Sequence, residues 1–274
     1  MSTTLPDRGA EPELLSSHDI LCVRAPNPGP LTLAGTNTWL VQRDPTWVVD
    51  PGPAHDGHVE RVLGAIAARG GLGGIALTHS HSDHSGALGA LLARQSAPLA
   101  AAGGQSDVVL GDGVRFGPFE ALPTPGHAPD HVALIAGHAC FTGDAVLGEG
   151  SVFISPDAGA LAGYLAALTR LREREGFDVL CPGHGPVVWE AHAKLTEYLE
   201  HRADRERRLK AALAQGRRSV AELLAAAWPE VPAELHAAAS ITLATHLDKL
   251  ADEALLPAGV ERPAPPPWAA TVQP

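Results

Sequence analysis

Four places in this chain put metal-binding types of side chain directly after an apolar stretch or a Pro/Gly turn. The densest is the run Thr78-His79-Ser80-His81-Ser82-Asp83-His84, which follows the apolar residues 74–77. Three further positions of this kind come downstream, at His127, Asp144 and His184. Because strand ends meet at one rim of a sheet in layered folds, we expect these side chains to share one site. The chain is therefore expected to form a layered fold of strands and helices.

The side chains of residues 79–84 can point towards two separate metal positions. Side chains two apart on an extended segment point the same way, so His79 and His81 are expected on one side. Asp83 and His84 come past the strand end, where a turn can aim them elsewhere. Imidazole and carboxylate ligands bind zinc at about 2.0–2.2 Å, so such a turn can serve two neighbouring metal ions.

The ordered patterns HxHxDH at 79–84, PGH at 125–127, TGD at 142–144 and PGHG at 182–185 make the chain resemble the metallo-β-lactamase superfamily. The resemblance implies an α+β fold, the αββα sandwich. It also implies a ligand set: His79, His81 and His127 for a first metal ion, Asp83, His84 and His184 for a second, and Asp144 bridging both.

Two further residues are expected to support this set. The resemblance places Asp50 beneath the site, where a carboxylate would fix the tautomer of a histidine ligand. His131 follows His127 by four residues and is expected to support a ligand, contact substrate, or serve a structural role.

The chemistry expected from this ligand set is hydrolysis. Two divalent metal ions are implied, with Zn²⁺ the expected metal, although manganese and iron accept the same ligand types. Two ions about 3.5–4 Å apart lower the pKa of a shared water towards 7, so a metal-bridging hydroxide would be the nucleophile. Asp83 and Asp144 would be the catalytic carboxylates that hold the ions and offset their charge.

The expected domain organisation combines composition and periodicity with the resemblance, which implies the metallo-β-lactamase domain. We predict a flexible N-terminus at 1–17, a metallo-β-lactamase domain at 18–200, a winged-helix-like domain at 201–260 and a disordered tail at 261–274. Helices are expected over 190–215, 220–228 and 233–250, with Ser219 and Glu222 as a capping box and a β-wing at 255–260. With the Gly35-Thr36-Asn37-Thr38 segment, this module makes the chain resemble the β-lactamase-like protein 2 group, which includes endoribonucleases acting on single-stranded RNA.

The substrate is left open between two classes. A net charge of −11 and an aromatic content of 4% argue against a broad nucleic-acid surface, and the arginines at 202–218 are the one basic exception. The expected activities are therefore an endoribonuclease on single-stranded RNA or a hydrolase of a small acyl compound, such as a thioester, lactone or ester. A metal-responsive DNA-binding protein is the non-enzymatic alternative, and the complete ligand set argues against it.

The remaining expectations concern cellular context. No stretch reaches the roughly 18–20 apolar residues that span a bilayer, and the N-terminal residues lack a signal-peptide pattern, so a cytoplasmic protein without membrane partners is expected. The three cysteines, Cys22, Cys140 and Cys181, lie in or beside apolar stretches and are expected to be buried free thiols.

Overall fold

The structure is a computed structural model that describes residues 18–264. The N-terminal residues 1–17 and residues 265–274 of the expected tail lie outside the described part. Eleven strands lie within the described residues: β1 Ile20–Arg24, β2 Asn37–Val41, β3 Thr46–Val49, β4 Leu72–Ala76, β5 Leu99–Ala101, β6 Val108–Val109, β7 Arg115–Phe116, β8 Phe119–Pro123, β9 Val132–Ala136, β10 Ala139–Gly143 and β11 Val179–Pro182.

The strands form two sheets. The first has the order β1-β2-β3-β4-β5-β6 and the second the order β11-β10-β9-β8-β7. Strands β3 to β6 run parallel, as do β10 and β11, whereas the remaining pairs are antiparallel. The parallel pairs matter for the site because they bring the ends of β3, β4 and β5 together in one sheet and those of β10 and β11 together in the other.

Seven α-helices lie among the described residues: α1 Asp56–Ala67, α2 Ser82–Ser85, α3 Leu88–Leu92, α4 Ala160–Glu173, α5 Ala191–Ala214, α6 Val220–Ala227 and α7 His236–Asp252. Helices α1 and α3 pack on the outer face of the first sheet through residues such as Val62 and Leu91. Helix α4 and the first half of α5 pack on the second sheet through residues such as Leu168 and Leu195.

Two-residue alternation along the strands separates the layers. In β2, Trp39 and Val41 enter the core between the sheets, whereas Leu40 faces the helices outside the first sheet. In β10, Phe141 enters the same core and Cys140 faces the helices outside the second sheet. Side chains on a strand alternate between faces, so strands apolar at every position need cover on both sides. The predicted α+β sandwich with helices outside is confirmed.

The C-terminal helices form a separate apolar cluster. It joins the second half of α5 (Leu209, Leu213) to α6 (Leu223) and α7 (Leu243, Leu247). The predicted capping box at the start of α6 is present, since Ser219 and Glu222 bond each other's backbone N–H groups. Helix α5 continues without a break through the expected domain boundary after residue 200.

The expected β-wing at 255–260 is not formed. Residues 253–264 make turns and irregular backbone, with Ala254 in the left-handed region at φ 57°. A wing needs two paired strands, but Leu256 and Val260 pack against the helical cluster instead, leaving Leu255 exposed. The described part of the C-terminal module is therefore a three-helix unit.

Two smaller observations complete the fold. Cys140 and Cys181 are buried free thiols, as expected, whereas Cys22 is half-buried. Across residues 18–264, no helix combines the length and the apolar character that crossing a membrane requires.

Candidate metal centre

The rims of both sheets supply the site. Asp50 follows β3, the 78–84 run follows β4, Asp144 follows β10 and His184 follows β11, so four strand ends meet here. Strand β4 ends at Ala76, and Asp83 and His84 lie in the short helix α2, at the place where the sequence predicts a turn past the strand end. The structure brings all nine residues expected from the sequence to this rim.

The first group consists of His79, His81 and His127. One nitrogen from each ring lies within 4.8 Å of the others. His81 Nδ1 and His127 Nε2 are 3.0 Å apart, and His79 Nε2 is buried without a hydrogen-bond partner. Three imidazoles so close together leave room for one small cation between their nitrogens, which is the arrangement expected for a first metal ion.

The second group consists of Asp83, His84 and His184, whose ligand atoms also lie within 4.8 Å of one another. Asp144 lies between the two groups. Its Oδ2 is 3.5 Å from His127 Nε2 and 3.3 Å from His184 Nε2, and its Oδ1 is 3.4 Å from His84 Nε2. The carboxylate therefore faces both groups, as a bridging ligand must.

Asp50 fixes one histidine in each group. Its Oδ2 accepts a hydrogen bond from Thr78 Oγ1 at 2.7 Å, and lies 2.9 Å from His84 Nδ1. Because the only hydroxyl proton of Thr78 is used on Asp50, the hydroxyl accepts from His79 Nδ1 at 3.0 Å. Both rings thus carry a proton on Nδ1 and turn Nε2 towards the site.

Asp50 itself is not available as a ligand. Asp50, His79 and His84 also have ligand atoms within 4.8 Å of one another, which suggests an alternative group. Asp50 Oδ1 accepts from the Thr78 backbone N–H at 2.7 Å, however, and Oδ2 takes the two bonds described above. A carboxylate with three hydrogen bonds serves to orient its neighbours.

His131 holds the backbone of Asp144. The Asp144 N–H donates to His131 Nε2 at 3.1 Å, so Nδ1 carries the proton and donates to Thr124 Oγ1 at 2.7 Å. Burial, followed by the nearby His127, holds the pKa of His131 well below its usual range, consistent with a neutral ring. Among the open roles for His131, the hydrogen bonds favour support of a ligand.

The charges of the site divide along the two groups. Burial lowers the pKa of His79 and His81, and lowers that of His127 to about 4, so the first group is neutral. In the second group burial acts in the same direction on His184, but Asp144 and Asp83 outweigh it and raise its pKa to about 9. For Asp83, burial is outweighed by His84 and His184, which lower its pKa to about 2.

Three buried atoms test whether metal ions fit. His79 Nε2, His84 Nε2 and Asp144 Oδ1 have no hydrogen-bond partner, although each points into the site. Buried polar atoms are rarely left unpaired, and unprotonated imidazole nitrogens beside carboxylate oxygens suit a divalent cation. A Cβ on Gly183 would lie 2.4 Å from Asp144 Oδ1, so the glycine of the PGHG pattern allows this close approach. The residues present fit a metal.

The His184 loop is held by residues that the sequence patterns did not assign to the site. Asn37 Nδ2 donates to Pro182 O at 3.0 Å and to Gly185 O at 2.9 Å, and the Asn37 N–H donates to Gly183 O at 2.7 Å. Thr36 Oγ1 donates to Asp83 Oδ2 at 3.2 Å. In the sequence, the Gly35–Thr38 segment is notable only because it contributes to the family resemblance. The signal that could have indicated its role is the presence of polar residues at the start of an otherwise apolar strand.

A cavity of about 510 Å³ opens from the metal-binding side chains. Its walls come from the 30–33 loop, the 147–153 loop, helices α5 and α7, and the turn after α6. Most of the side chains that line it away from the ligands are apolar: Leu31, Leu33, Leu147, Val152, Phe153, Trp228, Val231, Leu235, Ala238 and Ala239. The cavity therefore combines a polar floor with a largely apolar wall.

The arginines at 202–218 are mostly engaged within the protein. Arg202 and Arg205 are buried, and Arg205 forms an ion pair with Glu230. Arg207 and Arg208 both pair with Asp204, and Lys210 pairs with Glu206. Two arginines of helix α5 thus point inward, and its exposed cations are paired with carboxylates of the same helix. The helix does not present a continuous basic face.

The comparisons with known proteins agree with this geometry. A metallo-beta-lactamase family protein from Thermus thermophilus superposes with a TM-score of 0.71 at 22% identity, covering 90% of this chain and 96% of that one. A Beta-lactamase domain protein from Burkholderia ambifaria gives 0.72 at 20% identity, covering 86% of each chain. At these identities the likeness establishes the shared fold.

Curated relatives are more similar in sequence. "Lactamase-like protein nscB" of Trichophyton rubrum is 32% identical, over 73% of this chain and 65% of its own length. "Atrochrysone carboxyl ACP thioesterase" of Aspergillus chevalieri is 32% identical, over 72% of this chain and 67% of its own. "Beta-lactamase-like protein 2 homolog" of Caenorhabditis elegans is 31% identical, over 67% of each.

The family match spans the metal-binding residues. Residues 31–108 and 104–184 match the family described as the Metallo-beta-lactamase superfamily, and together these ranges cover more than half of the chain. They include every histidine and aspartate of the two groups described above. With its two-sheet sandwich and its strand-end ligands, the chain belongs to the metallo-beta-lactamase superfamily.

Proposed function

We propose that this protein is a dinuclear metal-dependent hydrolase of a small acyl substrate, with a thioester, lactone or ester as the bond that is cleaved. The observation that carries the proposal is the 510 Å³ cavity, which begins at the metal-binding side chains and continues along an apolar wall. Such a shape suits an acyl group whose carbonyl carbon lies at the ligands and whose hydrocarbon part lies beyond them.

The chain's residues would hold two divalent ions, for which Zn²⁺ is the proposed metal. His79, His81 and His127 would bind one ion, Asp83, His84 and His184 the other, and Asp144 both. When bound, the ions would supply an activated water as the nucleophile and polarise the scissile carbonyl group. Asp50 and Thr78 hold the ring orientations of His79 and His84, while His131 holds the backbone of Asp144.

The cavity wall has its own part in the reaction. Phe153, Trp228 and Val231 would cover the apolar part of a substrate and exclude bulk water from the polar floor. Water exclusion strengthens every electrostatic interaction at the reacting carbonyl group. One relative named above is called an acyl-carrier-protein thioesterase, which supports a thioester as the first substrate to test.

An endoribonuclease on single-stranded RNA is less well supported. Binding RNA requires cations that are free to neutralise phosphates and aromatic faces for the bases. On α5, Arg202 and Arg205 are buried and Arg207, Arg208 and Lys210 are paired with carboxylates. The aromatic side chains of Trp228 and Phe153 lie in the cavity wall and not on the exposed face of α5, so that face lacks both features that RNA binding requires.

The proposal is tested with a substrate panel and a metal analysis on the same preparation. Purified protein is expected to contain about two equivalents of metal and to cleave at least one thioester, lactone or ester in a chelator-sensitive way. His84→Ala should retain about one equivalent, and Asp144→Ala should abolish turnover while the circular dichroism spectrum stays unchanged.

The same panel contains the alternatives. Single-stranded RNA is included with the metal-stripped protein as its blank, and His138→Ala, a histidine outside both groups, serves as the matched control that keeps full metal content. Cleaved RNA with every acyl compound intact would overturn the proposal in favour of the nuclease. Full activity in Asp144→Ala would remove the proposed role of that carboxylate.

A further inference from the structure

Arg202 is a buried cation in the wall of the substrate cavity. Its residue surface is 2% exposed, yet it lines the cavity together with Ser151, Val152 and Trp228. One guanidinium nitrogen donates to Ser151 Oγ at 3.0 Å and to Val152 O at 2.6 Å, and the group lies over the ring of Tyr164. All of these partners are neutral.

No carboxylate balances this charge in the part of the chain that the structure describes. None has an oxygen within 4.0 Å of the Arg202 nitrogens. The nearby acidic residues of α5, Asp204 and Glu206, are taken by other cations. Glu149 also lines the cavity, but it is exposed to solvent and makes no ion pair with Arg202.

One atom of the group is left without a partner. Arg202 Nε is buried and has no hydrogen bond. A buried charge is costly unless it is paired, and a buried donor without an acceptor adds to that cost. The other arginine of the cavity wall is different, because Arg205 donates to His201, to Ala227 O and to the carboxylate of Glu230.

The positive charge of Arg202 affects the pKa of two neighbouring histidines. Burial, followed by the charge of Arg202, lowers the pKa of His201 to about 4 and that of His246 to about 3. Both histidines are therefore neutral at physiological pH and add no charge of their own. An anion that reaches this part of the wall would meet the unpaired charge of Arg202.

We infer that the cavity selects acyl substrates that carry a negatively charged group, a carboxylate or a phosphate, and that Arg202 is the residue that recognises it. This inference rests on the proposed function, since it names the substrate class of the same cavity. The acyl carbonyl would lie at the metal-binding side chains and the anion towards helix α5. A charge-assisted hydrogen bond to a buried guanidinium favours such a substrate by about 10-fold or more over its neutral analogue.

The experiment compares charged and neutral thioesters of equal length. Hexanoyl and adipyl thioesters of N-acetylcysteamine differ only in a terminal carboxylate on the acyl side. The hexanoyl thioester of phosphopantetheine carries its anion, a phosphate, on the thiol side, and the hexanoyl thioester of pantetheine is its neutral counterpart. At least one of the two anionic thioesters is expected to show a kcat/KM about 10-fold above that of its own neutral counterpart, and which of them does so identifies the source of the anion.

Variants of Arg202 and Arg207 distinguish a loss of anion recognition from a general loss of structure. Arg202→Met should lower kcat/KM for the anionic thioester about 10-fold more than for its neutral counterpart, which removes the preference, and Arg202→Lys should retain part of it. Arg207→Met removes the same charge from the exposed side of the same helix and should keep the full preference. Equal rates for charged and neutral thioesters in the wild type, or an equal loss on both in Arg202→Met, would overturn the inference.

A binding measurement keeps this inference distinguishable from the proposed function. If no thioester is hydrolysed, the proposed function fails, and calorimetric titration of the holoprotein with adipate and with hexanoate then decides the inference. Both compounds offer one carboxylate to the metals, so tighter binding of adipate that disappears in Arg202→Met supports recognition by Arg202. The same comparison between phosphopantetheine and pantetheine tests a phosphate. Equal binding within both pairs contradicts it.

Discussion

At the scale of single residues, Asp50 connects the two halves of the site. One carboxylate holds His84 directly and holds His79 through Thr78, so it orients one imidazole in each ligand group. A change at Asp50 is therefore expected to affect both metal positions at once, although the residue itself is not in a position to bind either.

Asp50→Asn tests this role while keeping the shape of the side chain. An amide cannot accept all three hydrogen bonds, because one of its two atoms is a donor. Metal affinity should fall by about 10–100-fold at both positions, as measured by competition with a chromophoric chelator. Asp112→Asn, a surface carboxylate paired with Arg170, is the matched control and should leave the affinity unchanged. Loss of one metal alone would contradict the shared role.

The candidate ligands are conspicuous in the sequence, whereas some of the residues that orient them are not. His79, His81 and His84 stand out because histidine is uncommon and three lie within six residues. Thr78 is a common residue at a strand end, and nothing in its type reveals that its hydroxyl relays a bond from Asp50 to His79. The role depends on β3 and β4 lying side by side, which is a tertiary fact.

At the scale of elements, strand β2 acts as a clamp on the loop that carries His184. The side chain and backbone of Asn37 bond to three successive parts of this loop, at Pro182, Gly183 and Gly185. Trp39 Nε1 adds a bond to Pro182 O at 3.1 Å. The first sheet thereby fixes a ligand that belongs to the second sheet.

Asn37→Ala should release this clamp. The carbonyl of Gly185 loses its Asn37 donor, whereas that of Pro182 keeps the donor from Trp39, so the free energy of unfolding is expected to fall by about 1–3 kcal/mol in urea titrations. The metal content of the second group should also decrease, because His184 loses its support. Gln105→Ala, which removes an amide from an exposed turn, should change neither quantity. Unchanged metal content in Asn37→Ala would show that the loop holds its shape alone.

Helices and strands are predicted where the local sequence pattern is clear. The prediction fails for the β-wing, which needs a second strand to pair with. Short stretches near 132–136 and 139–142 separated by a Gly137 turn predict the hairpin that β9 and β10 form, and the spacing at 158–174 predicts a helix within about two residues of α4. The wing at 255–260 had apolar residues of suitable type but no second strand to pair with. Strand pairing is non-local, so a local pattern could not decide it.

At the scale of the whole molecule, the cavity exists only because three helices pack against the edge of the sandwich. Thr242 of α7 accepts a hydrogen bond from the Ile154 N–H at 3.3 Å, and Arg202 of α5 bonds to Val152 O. The 147–154 loop is thus held between the metal rim and the C-terminal helices. The size of the acyl group that fits is expected to depend on the helices.

Ala238→Phe tests this dependence by filling part of the cavity from α7. The KM for a long acyl substrate should rise by about 10-fold, whereas metal content and the kcat for a short one should stay near wild type. Ala237→Phe adds the same ring at the neighbouring exposed position and should have little effect. Equal loss on short and long substrates would indicate a disturbed site rather than a smaller cavity.

The sequence could not predict this cavity because its wall combines distant parts of the chain. Arg202 and Arg205 looked like members of a solvated or RNA-binding helix face, since arginine is usually exposed. Their burial follows from the neutral partners at 151–152 and from the carbonyl and carboxylate at 227 and 230. Only the folded chain brings those groups to one helix.

Helix α5 is long, and its orientation affects the shape of the cavity. Its 24 residues form one rod about 36 Å long, anchored near its start by the bond from the Leu147 N–H to Tyr198 Oη. A tilt of one degree about Tyr198 would displace the far end of the helix, about 24 Å away, by about 0.4 Å. Substitutions beneath the first turns of α5 are therefore expected to widen or narrow the cavity without touching a substrate.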